Sequence, residues 1–158
     1  MSYSLAMSVD DSLKLDMQLC FPLYAAARAV TQAYAPLLSK LGLTYPQYLV
    51  MLVLWETDGR TVKELGERLF LDSGTLTPLL KRLEAQGMLK RERSTEDARS
   101  VHIHLTSQGR GLRRKAVTIP EDMACKMGLS LEELSRLRDE VRRLFAMLSH
   151  PQSEPSKK

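Results

Sequence analysis

Apolar side chains at Leu19, Leu23, Ala26, Val30, Tyr34, Leu37 and Leu41 advance by three or four positions, the spacing of one face of a long helix. Thr44 and Gln47 then stand three apart, as a capping box requires, ahead of a helix over Gln47–Trp55. Tyr48 to Trp55 are all apolar, which predicts a helix buried on every side. A second capping box, Thr61 with Glu64, heads a short helix with Val62, Leu65 and Leu69 on one face. Ser73, with Asp72 as the alternative, caps the next helix, whose inward stripe is Leu76, Leu79, Leu80 and Leu83. Gly87 is placed to end it in the left-handed conformation.

Beyond Gly87 the period changes from helical to two. Val101, Ile103 and Leu105 alternate with Ser100, His102 and His104, the pattern of a half-buried strand. Residues 88–93 are its expected partner, with Ser94–Ala98 as the polar tip. A basic helix follows from Thr106 and breaks near Pro120; Gly128 marks another stop, and Ser130 with Glu133 makes a third capping box. In the last helix Leu134, Leu137, Val141, Leu144 and Leu148 alternate steps of three and four. That is the narrow seam of a helix packing on a partner helix, and it favours a dimer over packing within one chain.

These elements predict a mainly α (α+β) fold. A winged helix-turn-helix, residues 44–106, is flanked by helical regions 13–43 and 107–149 that together form a dimerisation region. The whole of 13–149 reads as a single domain, without internal repeat or separating linker. Residues 1–12 and 150–158 read as disordered ends.

The chain has 158 residues, 44% apolar and 27% charged, ordinary for a soluble globular protein. No apolar run approaches the roughly 18 residues of a membrane span, and the polar start Met1-Ser2-Tyr3-Ser4 lacks a signal peptide's regions. A cytoplasmic protein without membrane partners is the expectation. Net charge is +4, but residues 81–115 hold ten basic side chains against four acids and carry +6, leaving −2 elsewhere. One region is cationic and the rest is not, as a phosphate-facing surface requires.

In a helix-turn-helix the second helix turns short polar side chains and cations outward while apolar ones lock it to the first. The inward leucines leave Ser73, Thr75, Thr77, Lys81 and Arg82 outward. Hydroxyls near the helix start suit base edges or phosphates; Lys81 and Arg82 suit the backbone, and arginine can also read guanine. On the hairpin, Arg91, Arg93 and Arg99 are placed for phosphates or a narrow minor groove. Asp97 either presets Arg99 by paired hydrogen bonds or simply initiates the turn.

From Leu41 to Thr106 the chain resembles the MarR family of winged-helix regulators, whose wing carries the Asp-x-Arg seen as Asp97-Ala98-Arg99, followed by Leu105-Thr106. The resemblance is closer to the organic-hydroperoxide-sensing branch, the OhrR repressors. It rests there on Leu19-Cys20-Phe21, Tyr45-Pro46-Gln47-Tyr48 and the long run Leu71-Asp72-Ser73-Gly74-Thr75-Leu76-Thr77-Pro78, and it spans roughly 13–149. It implies a homodimer on a palindromic operator in double-stranded DNA, with recognition helices about 34–36 Å apart.

Two cysteines 105 positions apart make neither a disulfide framework nor a zinc knuckle. A free cysteine is most often a small buried hydrophobe. Against that reading, either Asp16 capping the long helix or Pro22 opening it puts Cys20 within about a turn of the helix start. The positive end of the dipole favours a thiolate there, which a peroxide converts to a sulfenic acid. No Lys or Arg lies within five residues, so hydrogen-bond donors from elsewhere must hold the charge: Tyr34, Tyr45 and Tyr24 are the candidates, against plain core packing. In the resembling repressors, tyrosines at the positions of Tyr34 and Tyr45 reach the sulfur from the opposite subunit. Cys125, near a helix break, can resolve the sulfenic acid as a disulfide; the resemblance to two-cysteine members implies that it joins opposite subunits.

The reading is thus a redox-sensing repressor released by organic hydroperoxide. The alternative is a MarR-type regulator released by a small phenolic or apolar ligand, with both cysteines inert. An enzyme is not expected: there are no paired carboxylates, Cys-x-x-Cys or glycine-rich phosphate loop, and no cofactor or metal is implied. His102 and His104 read as exposed wing residues.

Overall fold

A computed structural model describes residues 12–94 and 100–149. Apart from Ser12 and Ser94, the expected disordered ends and the wing tip lie outside the described residues, and so do Asp97 and Arg99. The chain divides into two compact units, Met1–Val117 and Thr118–Lys158.

The first unit runs α1 (Cys20–Ser39), α2 (Tyr45–Glu56), β1 (Arg60–Thr61), α3 (Val62–Leu69), α4 (Ser73–Ala85), β2 (Leu89–Arg93), β3 (Val101–Leu105) and α5 (Ser107–Ala116). The fold is mainly helical, with a small antiparallel sheet ordered β1-β3-β2. Half of α2 is buried, less than its continuous apolar run predicts, since Leu49, Leu52 and Trp55 remain half-buried. Around it close Leu65 of α3, Leu76, Leu80 and Leu83 of α4, and Leu89 and Ile103 of the sheet. Gln47 binds the Thr44 amide at 2.9 Å, and Glu64 binds that of Thr61 at 2.7 Å, so both capping boxes begin their helices where the sequence sets them.

Between α3 and α4 the chain turns through Phe70, at a left-handed φ of 55°, and the Leu71 amide donates to the Gly66 carbonyl at 2.9 Å. A Cβ on Gly66 would lie 2.7 Å from the Leu71 oxygen, so this turn needs glycine. At the far end of α4, Gly87 (φ 72°) forms the two bonds of a Schellman motif, Met88 N–H to Leu83 O and Gly87 N–H to Glu84 O, both 2.9 Å.

The base of the hairpin is bolted to α2 and α5. Asp58 accepts from the Leu105 amide at 2.8 Å, Arg110 donates to the Leu105 carbonyl at 2.7 Å, and Trp55 Nε1–H donates to the Gly109 carbonyl at 2.9 Å. Helix α5 crosses the chain at Met88 so closely that a Cβ on Gly109 would stand 2.0 Å from the Met88 oxygen.

Strand β1 was not foreseen, since two residues are too few to show a period. It makes β3 the central strand, and this corrects the reading of the histidines. His102 and His104 are half-buried; His102 Nδ1 bonds the Gly59 carbonyl at 3.0 Å and His104 lies 3.7 Å from Glu92.

The second unit holds α6 (Ile119–Met127) and α7 (Leu131–Ser149). Pro120 sits in the first turn of α6, Gly128 stops it at φ 66°, and the Ser130 amide donates to Glu133 at 2.8 Å. No residue of α7 is buried. Among the described residues no helix is long and apolar enough to cross a membrane.

Candidate nucleic-acid interface and thiol site

Helix α4 is capped by Asp72, not by Ser73. A carboxylate serves better because it has two oxygens: Oδ1 accepts the Thr75 amide and Oδ2 the Thr75 hydroxyl, both at 2.9 Å. These bonds hold the Asp72 carboxyl below its usual range. Ser73, Thr75, Lys81 and Arg82 are exposed, and Gly74, Pro78, Lys81 and Arg82 share the outer face at spacings of three and four. Thr77 departs from expectation. It is half-buried, its hydroxyl donates to the Ser73 carbonyl at 2.6 Å, and it lines a cleft between α4, the start of α3 and the hairpin.

Strand register places the wing arginines. Leu89 faces Leu105, Arg91 faces Ile103 and Arg93 faces Val101, so both arginines share the sheet face packed on α4. Arg91 is held there by Glu84, with Nε 2.8 Å from Oε2. Arg93 is exposed, and no acid among the described residues pairs with it. On the opposite face Lys90 bonds Glu92, holding that carboxyl low. Sequence reasoning missed the Glu84 grip, because residues seven apart across a turn meet only after folding.

Cys20 is the first residue of α1 and is exposed. Neither Asp16 nor Pro22 starts the helix: Asp16 lies in a 3-10 turn, Leu15–Met17, Leu19 occupies the cap position, and Pro22 falls inside the first turn. Tyr24, one turn on from Cys20, accepts a hydrogen bond from Arg28 at 3.1 Å, and the guanidinium carbon lies 5.5 Å from its ring centroid. Arg28 at the i+4 position was legible in the sequence but not singled out.

Three other tyrosines form a cluster elsewhere. Tyr34 packs on Tyr45 (5.1 Å between centroids) and on Tyr48 (5.9 Å), and Tyr48 packs on Trp55 (6.3 Å). Burial, and then the neighbouring phenols, push Tyr48 up to about 12; burial raises Tyr34 and Tyr45 too. Tyr34 lies fourteen residues along α1 from Cys20, about 21 Å at 1.5 Å per residue. The cluster therefore cannot touch the sulfur of its own chain. Cys125 lies in α6, in the second unit, and is also exposed and free.

Several known proteins resemble this chain in sequence and fold. Residues 32–115 match the family model described as transcriptional regulator SarA/Rot. The chain is 52% identical, over 87% of its length and 94% of the relative's, to the organic hydroperoxide resistance transcriptional regulator of Bacillus subtilis. It is 55% identical, over 84% and 68%, to the HTH-type transcriptional regulator TtmR of Methylorubrum extorquens. Solved structures of AbfR from Staphylococcus epidermidis superpose on it: the reduced form bound to DNA with TM-score 0.73 (35% identity, 89% of this chain and 99% of that one), and the disulfide form with TM-score 0.61 (36% identity, 89% and 94%). With this identity across most of both chains and the same fold, the chain belongs to the MarR/SarA family of winged-helix transcriptional regulators.

Proposed function

We propose that this regulator is a cytoplasmic redox-sensing repressor that binds a palindromic DNA operator as a homodimer and releases it when organic hydroperoxide oxidises Cys20. The observation that carries the reading is the pairing of an exposed cysteine at a helix start with a half-buried phenol cluster too far away to reach it in one chain. In a two-fold dimer the Tyr34 and Tyr45 of one subunit are free to serve the sulfur of the other, with Tyr24 contributing from the same helix. A dimer also gives the apolar seam of α7 a partner: Leu137, Val141 and Leu148 are 51%, 45% and 73% exposed in the single chain.

The chemistry balances simply. The Cys20 thiolate attacks the O–O bond; sulfur gains the terminal oxygen as a sulfenic acid, and the alkoxide leaves and is protonated to an alcohol. The Cys125 thiol of the other subunit then attacks that sulfur, an S–S bond forms, and the hydroxyl leaves as water. Two thiols are oxidised and one hydroperoxide is reduced. Joining the subunits this way turns the two winged modules out of the roughly 34–36 Å spacing of successive grooves. A coupling of about 3 kcal/mol, roughly a hundredfold in affinity, suffices. On DNA, Ser73, Thr75, Lys81 and Arg82 meet the major groove and its phosphates, while Arg93 and Arg99 serve as the wing's contacts; Thr77 and Arg91 line the joint between helix and wing.

The test is a gel shift on the adjacent promoter with and without cumene hydroperoxide, followed by dithiothreitol. Wild type should release and then rebind. Cys20→Ser should bind and ignore peroxide, and Cys125→Ser should form no disulfide-linked dimer on non-reducing gels. Release of Cys20→Ser by peroxide overturns the reading. A cleft of about 460 Å³ lined by Thr61, Thr77, Leu80, Arg91 and Val101 favours a second reading, release by a small ligand. That reading requires release under reducing conditions.

A further inference from the structure

Strand β2 is an edge of the sheet, and its outward amides have no strand to pair with. Which ones face outward follows from the ends of the ladder. Ser94 N–H donates to Ser100 O at 2.9 Å, and Thr106 N–H to Met88 O at 3.1 Å, so even-numbered positions of β2 turn their backbone toward β3. Arg91 therefore directs its amide off the sheet edge. Glu84, in the last turn of α4, receives it: Arg91 N–H donates to Oε1 at 3.1 Å and Arg91 Nε–H to Oε2 at 2.8 Å. Both side chains are only about one-third exposed. The Glu84 carbonyl meanwhile accepts from Gly87, so one residue ties down both the turn and the strand that leaves it.

We infer that Glu84 is a positioning residue for DNA recognition: by clasping Arg91 at backbone and guanidinium it fixes the angle of the wing to the recognition helix α4. Arg91 acts through this clasp and not on a phosphate. Its charge is already matched by a carboxylate that binds its Nε–H and its backbone amide together, whereas Arg93, two residues along the same face, pairs with no acid among the described residues. The inference rests on the DNA-binding reading above and gives the hairpin arginines separate tasks.

Binding to the adjacent promoter duplex, read by fluorescence anisotropy over a salt series, tests it. Glu84→Gln and Arg91→Ala should each weaken binding about threefold to tenfold. The slope of log affinity against log salt should be unchanged, and the double variant should be no weaker than either single one. Arg93→Ala should lower that slope by about 1. In wild type the NMR signal of Arg91 Nε–H should stay in place when duplex is added, because it faces Glu84 and not a phosphate, and Glu84→Gln should bind weakly even at temperatures where the variant is fully folded, which a role confined to stability does not predict. Any of five results would overturn the clasp: tighter binding or a steeper slope in Glu84→Gln, no effect of that variant, a slope loss of about 1 in Arg91→Ala, or a displaced Arg91 signal. Wild-type protein that fails to bind the duplex overturns the DNA-binding reading itself, and the clasp with it.

Discussion

The rings of Tyr34 and Tyr45 meet at 5.1 Å between centroids, tilted by 52°, and so pin the middle of α1 to the start of α2. Their hydroxyls are dispensable for that contact, because the packing is between ring faces and edges. Tyr34→Phe and Tyr45→Phe should therefore leave operator affinity within about twofold. If the hydroxyls hold the partner's sulfur, each variant should slow the oxidation of Cys20 by cumene hydroperoxide about tenfold, the cost of one charge-assisted hydrogen bond. Stopped-flow measurement of residual thiol reads this out. Wild-type rates in both variants would leave the cluster as core packing.

Gly109 and Gly111 differ by half a turn of α5 and should behave oppositely. A Cβ at Gly109 meets the Met88 oxygen at 2.0 Å, while one at Gly111 meets nothing within 4 Å. Gly109→Ala should cost about 3 kcal/mol in urea denaturation, because two backbones must part. Gly111→Ala should gain about 0.5–1 kcal/mol through helix propensity and a less flexible unfolded chain. Equal stabilities for the two would contradict the close crossing.

Asp72 ties the recognition helix to pH. Its carboxyl is held low by the Thr75 amide and hydroxyl. The stabilisation is thus present above the ordinary carboxylate range, about 4. As pH falls the unfolded chain takes the proton first, and the advantage has vanished once the folded group is protonated as well. Asp72→Ala should lower the thermal midpoint at pH 7, and the gap to wild type should narrow in acid, below the ordinary carboxylate range. Circular-dichroism melts at neutral and acid pH check this; a constant gap would show that the cap is not the cause.

A charge on the exposed face of α7 should prevent self-association. Val141→Glu replaces a side chain that is 45% exposed in the single chain and should cost little in one chain's folding, within about 0.5 kcal/mol for a surface change. In an apolar interface, by contrast, an unpaired carboxylate is expensive. Sedimentation should find a dimer for wild type and a monomer for the variant, with operator binding lost as well. A variant that stays dimeric would place the interface elsewhere.

Much of the fold was legible because local signals repeated one another. Thr61 and Ser130 each accepted a helix-start amide and Gln47 took that of Thr44, Gly87 and Gly128 supplied the left-handed stops, and the switch from period 3.6 to period 2 after Gly87 marked the hairpin. These features depend on neighbours within four residues, so the chain encodes them directly. The inward leucines of α4 followed from the same short-range patterns. The start of α1 did not, since its cap position, Leu19, makes no side-chain bond and leaves no polar signature.

Only the tertiary structure decided what the polar side chains do. Strand β1 turned two histidines from exposed wing residues into members of a central strand. Asp72 took the cap from Ser73 because both of its oxygens reach Thr75. Thr77 was drawn into the cleft, and Arg91 met Glu84. The physical reason is range: apolar periodicity reports which face of an element is buried, whereas a hydrogen-bond partner depends on which element arrives opposite. That choice is made by packing, after the pattern has done its part.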